Sequence, residues 1–309
     1  MRWVALTAVA PVAWGANYFV THEYLPAGSP LYGAALRALP AGLVLLALCG
    51  WRRPHGGWWW RSAVLGALNV SVFFALVYVA SQLLPTSVAS TVMAMSPLTM
   101  TLIAWPLVSE RPRTAHLAGA VVGLAGVCLM LLPGADGVSV PGVLASAAAM
   151  LVSSFGHILT KRWNADTDVL ASTAWQLTAG GLFLLPVAAV AEGPPPALST
   201  PALVAFGYVS LVATALAFTA WFTGLRHLPA ATMGLIGLLN PVTGVLLGTM
   251  VGTETLTVQQ LCGLVLVLAG VMLGRPTRAG LRGAGRTPPR PGPHRCPAPD
   301  PPPSRPQPR

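Results

Sequence analysis

The stretches "LAGAVVGLAGV" (residues 117–127) and "LCGLVLVLAGV" (261–271) lie 144 positions apart and share seven of eleven residues. The same shift sets Pro97 on Pro241, Glu110 on Glu254, Phe74 on Phe218 and Leu84-Pro85 on Leu228-Pro229. A constant offset carried through Leu, Pro, Glu and paired glycines indicates duplication rather than chance matching of apolar sequence. Earlier in each half a shift of 139 pairs Arg37 with Gln176 and Gly42 with Gly181. Within each copy two glycines stand seven apart, Gly119 and Gly126 or Gly263 and Gly270, so they share one helix face. Helices in lipid have no hydrophobic drive toward one another, and small residues that admit close backbone approach are expected where they meet.

The chain has 309 residues, 54% hydrophobic and 8% charged, with a mean hydropathy of +0.66. That is too little charge to cover a soluble surface, which favours the membrane class. The net charge of +10 does not indicate nucleic acid. Eight of the 18 basic residues lie beyond position 274 and the rest punctuate apolar runs, so no basic face with interleaved aromatics can be drawn. Cys49, Cys128 and Cys262 sit in apolar runs and Cys296 in the tail, without metal-ligand spacing. No metal site and no cofactor is expected.

A hydrocarbon core of about 30 Å takes about 20 helical residues. Sufficient runs occur near residues 3–21, 29–50, 58–80, 86–108, 115–133, 139–160, 168–190, 200–225, 230–251 and 257–274. With the N-terminus in the cytoplasm, the inner segments hold Arg2, Arg52, Arg53, Arg61, Arg111, Arg113, Lys161, Arg162, Arg226 and the tail. The outer loops hold no Lys or Arg and carry Glu23, Asp136, Glu192 and Glu254. This segregation follows the positive-inside rule and predicts a multi-pass cell-membrane protein with both termini cytoplasmic. Five spans per copy is odd, so the second copy enters the membrane inverted, the arrangement of many secondary transporters. The expected fold is an all-α membrane protein of ten transmembrane helices in two inverted five-helix repeats around a central cavity. The repeats occupy 1–134 and 135–276, and an Arg/Pro-rich cytoplasmic tail, 277–309, is expected to be disordered.

The block "PLTMTLIAWPLVSERPR" (97–113) becomes "PVTGVLLGTMVGTETLT" (241–257) in the second copy. Proline and glutamate persist, while Arg111 and Arg113 become Thr255 and Thr257. Topology accounts for that loss, since only the first copy ends in the cytoplasm. The persistent glutamates are expected to begin the next helix, where a carboxylate suits the positive end of the dipole. Pro97 and Pro241 are expected to loosen the turn before them and free carbonyls, as cavity-shaping kinks or gating points.

These features resemble the EamA-type drug/metabolite transporter family. The resemblance rests on "AWGANY" (13–18), "LRALPAG" (36–42), the Pro-to-Glu block closing the fourth and ninth spans, and the "GxxxxxxGV" endings of the fifth and tenth. It covers roughly residues 3 to 274. It implies ten helices in two inverted halves around a central cavity, moving small metabolites, often amino acids and frequently outward. The sixth span departs from the pattern, offering "SSFGHIL" (153–159) without a tryptophan equivalent to Trp14.

Polar groups inside spans are the candidate cavity residues. Arg37 lies about eight residues, or about 12 Å, from the outer surface. A charge at helix centre costs on the order of 2.5–3.5 kcal/mol, so it should face protein or water. It is either a cationic anchor for a substrate carboxylate or other anion, or a structural helix-end or carbonyl-bonding arginine, with Glu23 on the same outer side as a partner. Trp14 and Asn17, three apart on one helix face, form with Arg37 a possible outer cavity wall or else pack against neighbouring helices. Asn69, Gln176 and Asn240 are interhelical hydrogen bonders or ligand contacts; Trp175 and Tyr78 offer stacking surfaces, or Tyr78, near a span end, belongs to the aromatic belt. His157, one turn from Lys161, either snorkels to cytoplasmic water or relays protons. No Asp or Glu lies in the middle of a span, which leaves proton coupling to Glu23 or His157, or leaves transport uncoupled.

No HExxH, GxSxG, paired carboxylate or Gly-rich phosphate loop occurs, so an enzyme is not expected. The expected function is a secondary transporter moving a small metabolite, an amino acid or related zwitterion or anion, outward by alternating access. The alternative is a passive channel or a sensor-type membrane protein. Expected partners are a small-molecule substrate and the lipid bilayer, with a homodimer left open and no nucleic acid.

Overall fold

The computed structural model describes residues 2–24, 28–83, 92–131, 139–164, 167–251 and 258–273. All are helix, turn or coil, and no strand occurs among them. The last described helix ends at Leu273, and the unit Pro276–Arg309, which holds the expected tail, lies outside the described residues. Helix α1 spans Arg2–Tyr24, α2 Pro30–Leu48, α3 Trp58–Gly66 and α4 Phe73–Leu83. Then follow α5 Ser96–Val108, α6 Thr114–Leu131, α7 Val140–Trp163 and α8 Val169–Glu192. The last are α9 Thr200–Ser210, α10 Ala217–His227, α11 Ala230–Gly237, α12 Leu239–Val251 and α13 Val258–Leu273.

Five helices among the described residues are long and apolar enough to cross a bilayer: Pro30–Leu48, Trp58–Ala80, Val140–Trp163, Val169–Glu192 and Thr200–His227. Shorter apolar helices run over Ser96–Val108, Thr114–Leu129, Ala230–Thr243 and Leu261–Leu273. The packing is inside-out by soluble standards. Leu144, Val190 and Val204 face outward at 64%, 89% and 72% exposure, while Thr7, Asn69, Ser172, Thr173, Gln176 and Thr214 are buried. Lipid accepts the first set; the buried polar set needs internal partners.

Local chemistry sets the helix ends. Ser139, Asp168 and Ser199 cap α7, α8 and α9 by accepting the amides of Gly142, Leu170 and Ala202. Proline stands in the first turn of α2, α5, α7 and α9, where its missing N–H costs no hydrogen bond. Gly193, with φ 77°, ends α8.

The expected single span over 230–251 is broken at Leu238, between α11 and α12. The chain is likewise interrupted at Ala94–Met95, just before α5. Each break stands three or fewer residues before a repeat proline, Pro97 or Pro241. Proline cannot return an amide to the carbonyl four residues back, and the turn tightens instead: Met95 N–H reaches Val92 O at 3.1 Å and Leu238 N–H reaches Leu235 O at 3.2 Å. Proline alone is insufficient, since Pro11, Pro40, Pro106 and Pro186 lie inside continuous helices. One broken position is also a crossing point, where a Cβ on Gly234 would come 2.5 Å from Pro97 Cα.

Two further interruptions are π-helical turns, Ala67–Val72 between α3 and α4, and Leu211–Leu216 between α9 and α10. They are 144 residues apart, the offset of the sequence repeat.

The repeat glycines close the contact between α6 and α13. A Cβ on Gly126 would lie 2.6 Å from Gly263 O, and one on Gly270 would lie 2.5 Å from Gly119 O. At the shift of 139, a Cβ on Gly42 would meet Thr178 N at 2.6 Å, and one on Gly181 would meet Leu39 N at 2.9 Å. In both helix pairs residue i meets j while the sequence mate of i meets the sequence mate of j.

Contacts near helix ends fall into two groups. Arg52 faces Asp168, Arg226 Nη1 donates to Thr167 O, Trp3 stacks on His227, and Lys161 pairs with Glu110. Glu192 meets the amides of Leu31 and Tyr32, and Gln259 Nε2 donates to Leu129 O. Every contact in the first group joins segments that the charge pattern assigns to the inner side, and every contact in the second joins outer ones.

Candidate functional site

The π turn Leu211–Leu216 shapes a polar junction in the main core. The Ala217 amide goes to Val212 O and Thr214 O rather than to Ala213 O. Ala213 O instead receives Trp14 Nε1 from α1 at 2.9 Å and Arg37 Nη2 from α2 at 3.5 Å. Arg37 Nε donates to Thr214 Oγ1 at 3.1 Å, and its guanidinium lies 4.8 Å from the centroid of the Phe74 ring. Arg37 thus joins α2 to the π turn. The pairing with Glu23 lies outside the described side chains, as does the Asn17 side chain.

From Trp14 an aromatic wall continues across α10 to α7. Trp14 lies 5.4 Å from Phe218 and 5.3 Å from Trp221. His157 lies 5.7 Å from Trp221 and 5.9 Å from Phe222. The expectation that His157 snorkels to water is corrected: its ring is packed against those two, and the neighbouring polar tip, Lys161, is held by Glu110. Trp221 is 3% exposed, its Nε1 has no partner within the protein, and its ring edge reaches Gly237 at the broken span. Asn240, three residues beyond, also buries an Oδ1 without a protein partner. Its main-chain carbonyl faces Gly15, next to Trp14, where a Cβ would come within 2.7 Å.

The other π turn builds a second polar cluster. Asn69 Nδ2 donates to Thr160 Oγ1 at 3.0 Å and to Gln176 Oε1 at 2.9 Å, joining this turn to α7 and α8. Gln176 Nε2 donates to Ser172 O at 3.1 Å, and Ser71 Oγ donates to Gly180 O at 2.9 Å. Asn69 and Gln176 are thus brought together, apart from Arg37.

Trp175 stands elsewhere. Its Nε1 donates to Arg52 O at 2.7 Å, and its ring packs against Trp58 at 5.6 Å, so it staples the end of α2 rather than lining the wall. Tyr78 is half-buried against the main core. Pro97 and Pro241 mark the breaks already described. No group of three or more His, Cys, Asp or Glu able to hold a metal ion occurs among the described residues.

Glu110 is corrected too. It does not begin the next helix: its Oε2 accepts the Ala230 amide at 2.7 Å, the first N–H of α11, and its Oε1 lies 2.5 Å from Lys161 Nζ. The reasoning about a carboxylate at a positive helix end holds, but on a helix far away in sequence.

Trp221, Phe218, Thr214, Thr160 and the Ala213 carbonyl were not singled out from sequence. Trp221 sits in an apolar run whose copy carries Val77, and a carbonyl released by a π turn leaves no trace in residue type.

Helices with apolar outer faces, buried polar junctions and broken spans around an aromatic wall define a polytopic helical membrane protein. The chain belongs to the EamA-like transporter family, whose model matches residues 1–132 and again 140–274. It is 37% identical over 267 residues to Protein PecM of Dickeya dadantii, covering 85% of this chain and 89% of that one. It is 28% identical to a probable terminal-alkyne amino-acid exporter of Streptantibioticus cattleyicolor, covering 84% and 89%. A solved crystal structure of a protein with 22% identity superposes with a TM-score of 0.79, covering 92% of this chain and 99% of that one, and so shares its fold. The family is one of transporters, and the relative from Streptantibioticus cattleyicolor is named as an exporter.

Proposed function

We propose that the chain is a secondary carrier that exports a small zwitterionic or anionic metabolite, an amino acid or a close relative, by alternating access. Ten spans in two inverted repeats, 1–134 and 135–276, rock about a substrate site at their interface. Support comes from the reciprocal glycine contacts, the π turns at the repeat offset, the two family matches, and an exporter among the relatives.

The observation that carries the site is the pair of buried, unpartnered groups beside the broken span, the Trp221 N–H and the Asn240 side-chain carbonyl. An unsatisfied polar group in a dry core costs about 1–3 kcal/mol, which a substrate offering an acceptor and a donor recovers on binding. Trp14, Phe218 and Phe222 supply the apolar wall, and the positive charge of Arg37 at the same wall suits a carboxylate. Asn69 and Gln176 hold α7 and α8 on the opposite π turn.

Purified protein in liposomes should take up a labelled amino acid saturably and exchange it faster with the same amino acid on the far side. Trp221→Phe, which keeps the ring and removes the N–H, should raise KM about tenfold, equivalent to one lost hydrogen bond of about 1.4 kcal/mol. Flux that rises linearly with concentration and shows no exchange would mark a channel and overturn the reading.

A further inference from the structure

We propose that Glu110, Lys161 and the first turn of α11 form an ionic latch that closes the protein on its inner side, and that the latch opens whenever the substrate site faces the cytoplasm. The proposal rests on the carrier reading.

Three chain segments meet at one point. Lys161, the only lysine in the sequence, stands in the last turn of α7, and its Nζ donates to Glu110 Oε1 and to Leu228 O. Glu110, just after α5, uses its second oxygen on the Ala230 amide. The two side chains are 14% and 28% exposed, so each shields the other from a poorly hydrated surrounding. A fourth contact, His116 Nε2 to Thr232 Oγ1 at 3.5 Å, ties the start of α6 to the same turn.

The mechanics single this cluster out from other ion contacts. α5 and α11 each border a helix break, Ala94–Met95 and Leu238, and α11 is a rod of about 12 Å between its break and the latch. A short rigid segment that meets a broken turn can pivot there, and the latch grips its opposite end, separated by two residues from the close of α10. The carboxylate at the other side, Glu192, bonds the amides of Leu31 and Tyr32 at 2.6 and 2.9 Å. It joins α8 to α2, two unbroken helices whose backbones touch at Gly42 and Gly181. That contact is scaffold. Arg52 and Asp168 are 3.9 Å apart and well exposed, a pair of little energetic weight.

Separating a half-buried pair leaves each charge without its partner, so the closed form is favoured while both are present. Removing either partner should shift the balance toward the inward-open form. The shift is read by placing one cysteine, Leu225→Cys, in full-length protein whose Cys49, Cys128, Cys262 and Cys296 are alanine. Leu225 is fully buried on α10, one turn inside the latch carbonyl of Leu228. A membrane-impermeant maleimide is applied to the cytoplasmic face.

Glu110→Gln and Lys161→Met should each raise the labelling rate about tenfold, the effect of about 1.4 kcal/mol on the closed–open balance. Lys161→Arg should stay near the parent rate, and Glu192→Gln should leave it unchanged. Ala230→Pro removes the N–H that Glu110 holds at the first helical position, where proline suits the helix, and should raise the rate without altering any charge. Should the charge variants fail to accumulate, this variant decides the outcome. An unchanged rate overturns the latch, and so does an equal rise in Glu192→Gln, which would indicate general loosening. Labelling needs no substrate. A rise in a protein that shows no exchange flux leaves the latch and removes the carrier, whereas exchange flux with unchanged labelling does the reverse.

Discussion

Arg37 makes bonds that require a planar fork: one nitrogen to Thr214 Oγ1, another to Ala213 O, with its face on Phe74. A lysine carries one compact charge and cannot serve both oxygens while stacking. Arg37→Lys should therefore destabilise the protein by about 1–3 kcal/mol, read as a lowered midpoint of unfolding in detergent. Thr214→Val should cost less than that, and the double variant should cost less than the sum, because the two residues share one bond. A strictly additive pair would show that Arg37 acts elsewhere. Residue type marked Arg37 as unusual because a charge inside an apolar run is visible in any sequence. Its partners were not legible. One is a carbonyl released by a π turn, and the other, Thr214, stands where the first copy has Val70. Asn69, in the equivalent turn of the first copy, solves the same geometric problem with a side-chain amide and different partners. Duplication preserved the backbone device and let its chemistry diverge.

Among the helices, the α6–α13 contact was the most legible element of the fold, because close approach demands glycine and glycine is written in the sequence. The demand is quantitative. A methyl group on Gly126 would meet Gly263 O at 2.6 Å and Val267 N at 2.8 Å, both backbone atoms that cannot rotate away. Gly126→Ala and Gly270→Ala should each destabilise by about 1–3 kcal/mol through overpacking. Gly207→Ala meets nothing within 4 Å and should be neutral or stabilise by up to about 1 kcal/mol, since alanine is the better helix former. Thermal unfolding of the three variants tests sign as well as size. A loss in Gly207→Ala equal to that of the other two would mean that contact distance is not the cause. The breaks before Pro97 and Pro241 were only half legible. Proline announces a weakened turn, but four other prolines sit in continuous helices, and what distinguishes these positions is tertiary.

At the scale of the molecule, two independent patterns agree. Positive charge divides the connecting segments into two sets, and the contacts between helix ends respect that division without exception among those described. The structure separates two ends; the positive-inside rule leads to the expectation that the end with the arginines and the lysine is the cytoplasmic one. The aromatic cluster of Trp58, Trp60, Trp163 and Arg61 marks the same end as an interfacial belt, with Arg61 5.8, 5.7 and 5.6 Å from the three ring centroids in the order Trp58, Trp60, Trp163. An alkaline phosphatase reporter, active only outside the cytoplasmic membrane, should be active when fused after Gly28 or Gly193. It should be inactive after Arg53, Arg113, Thr167 or Arg278. Truncation after Arg278 should leave exchange flux intact, because the residues beyond it hold Arg and Pro but no apolar run able to join a packed core. If fusions after Gly28 and Gly193 gave opposite activities, the two helix ends joined by Glu192 could not share a side. The proposed odd number of spans per repeat, and with it the proposed inversion and alternating access, would then fall.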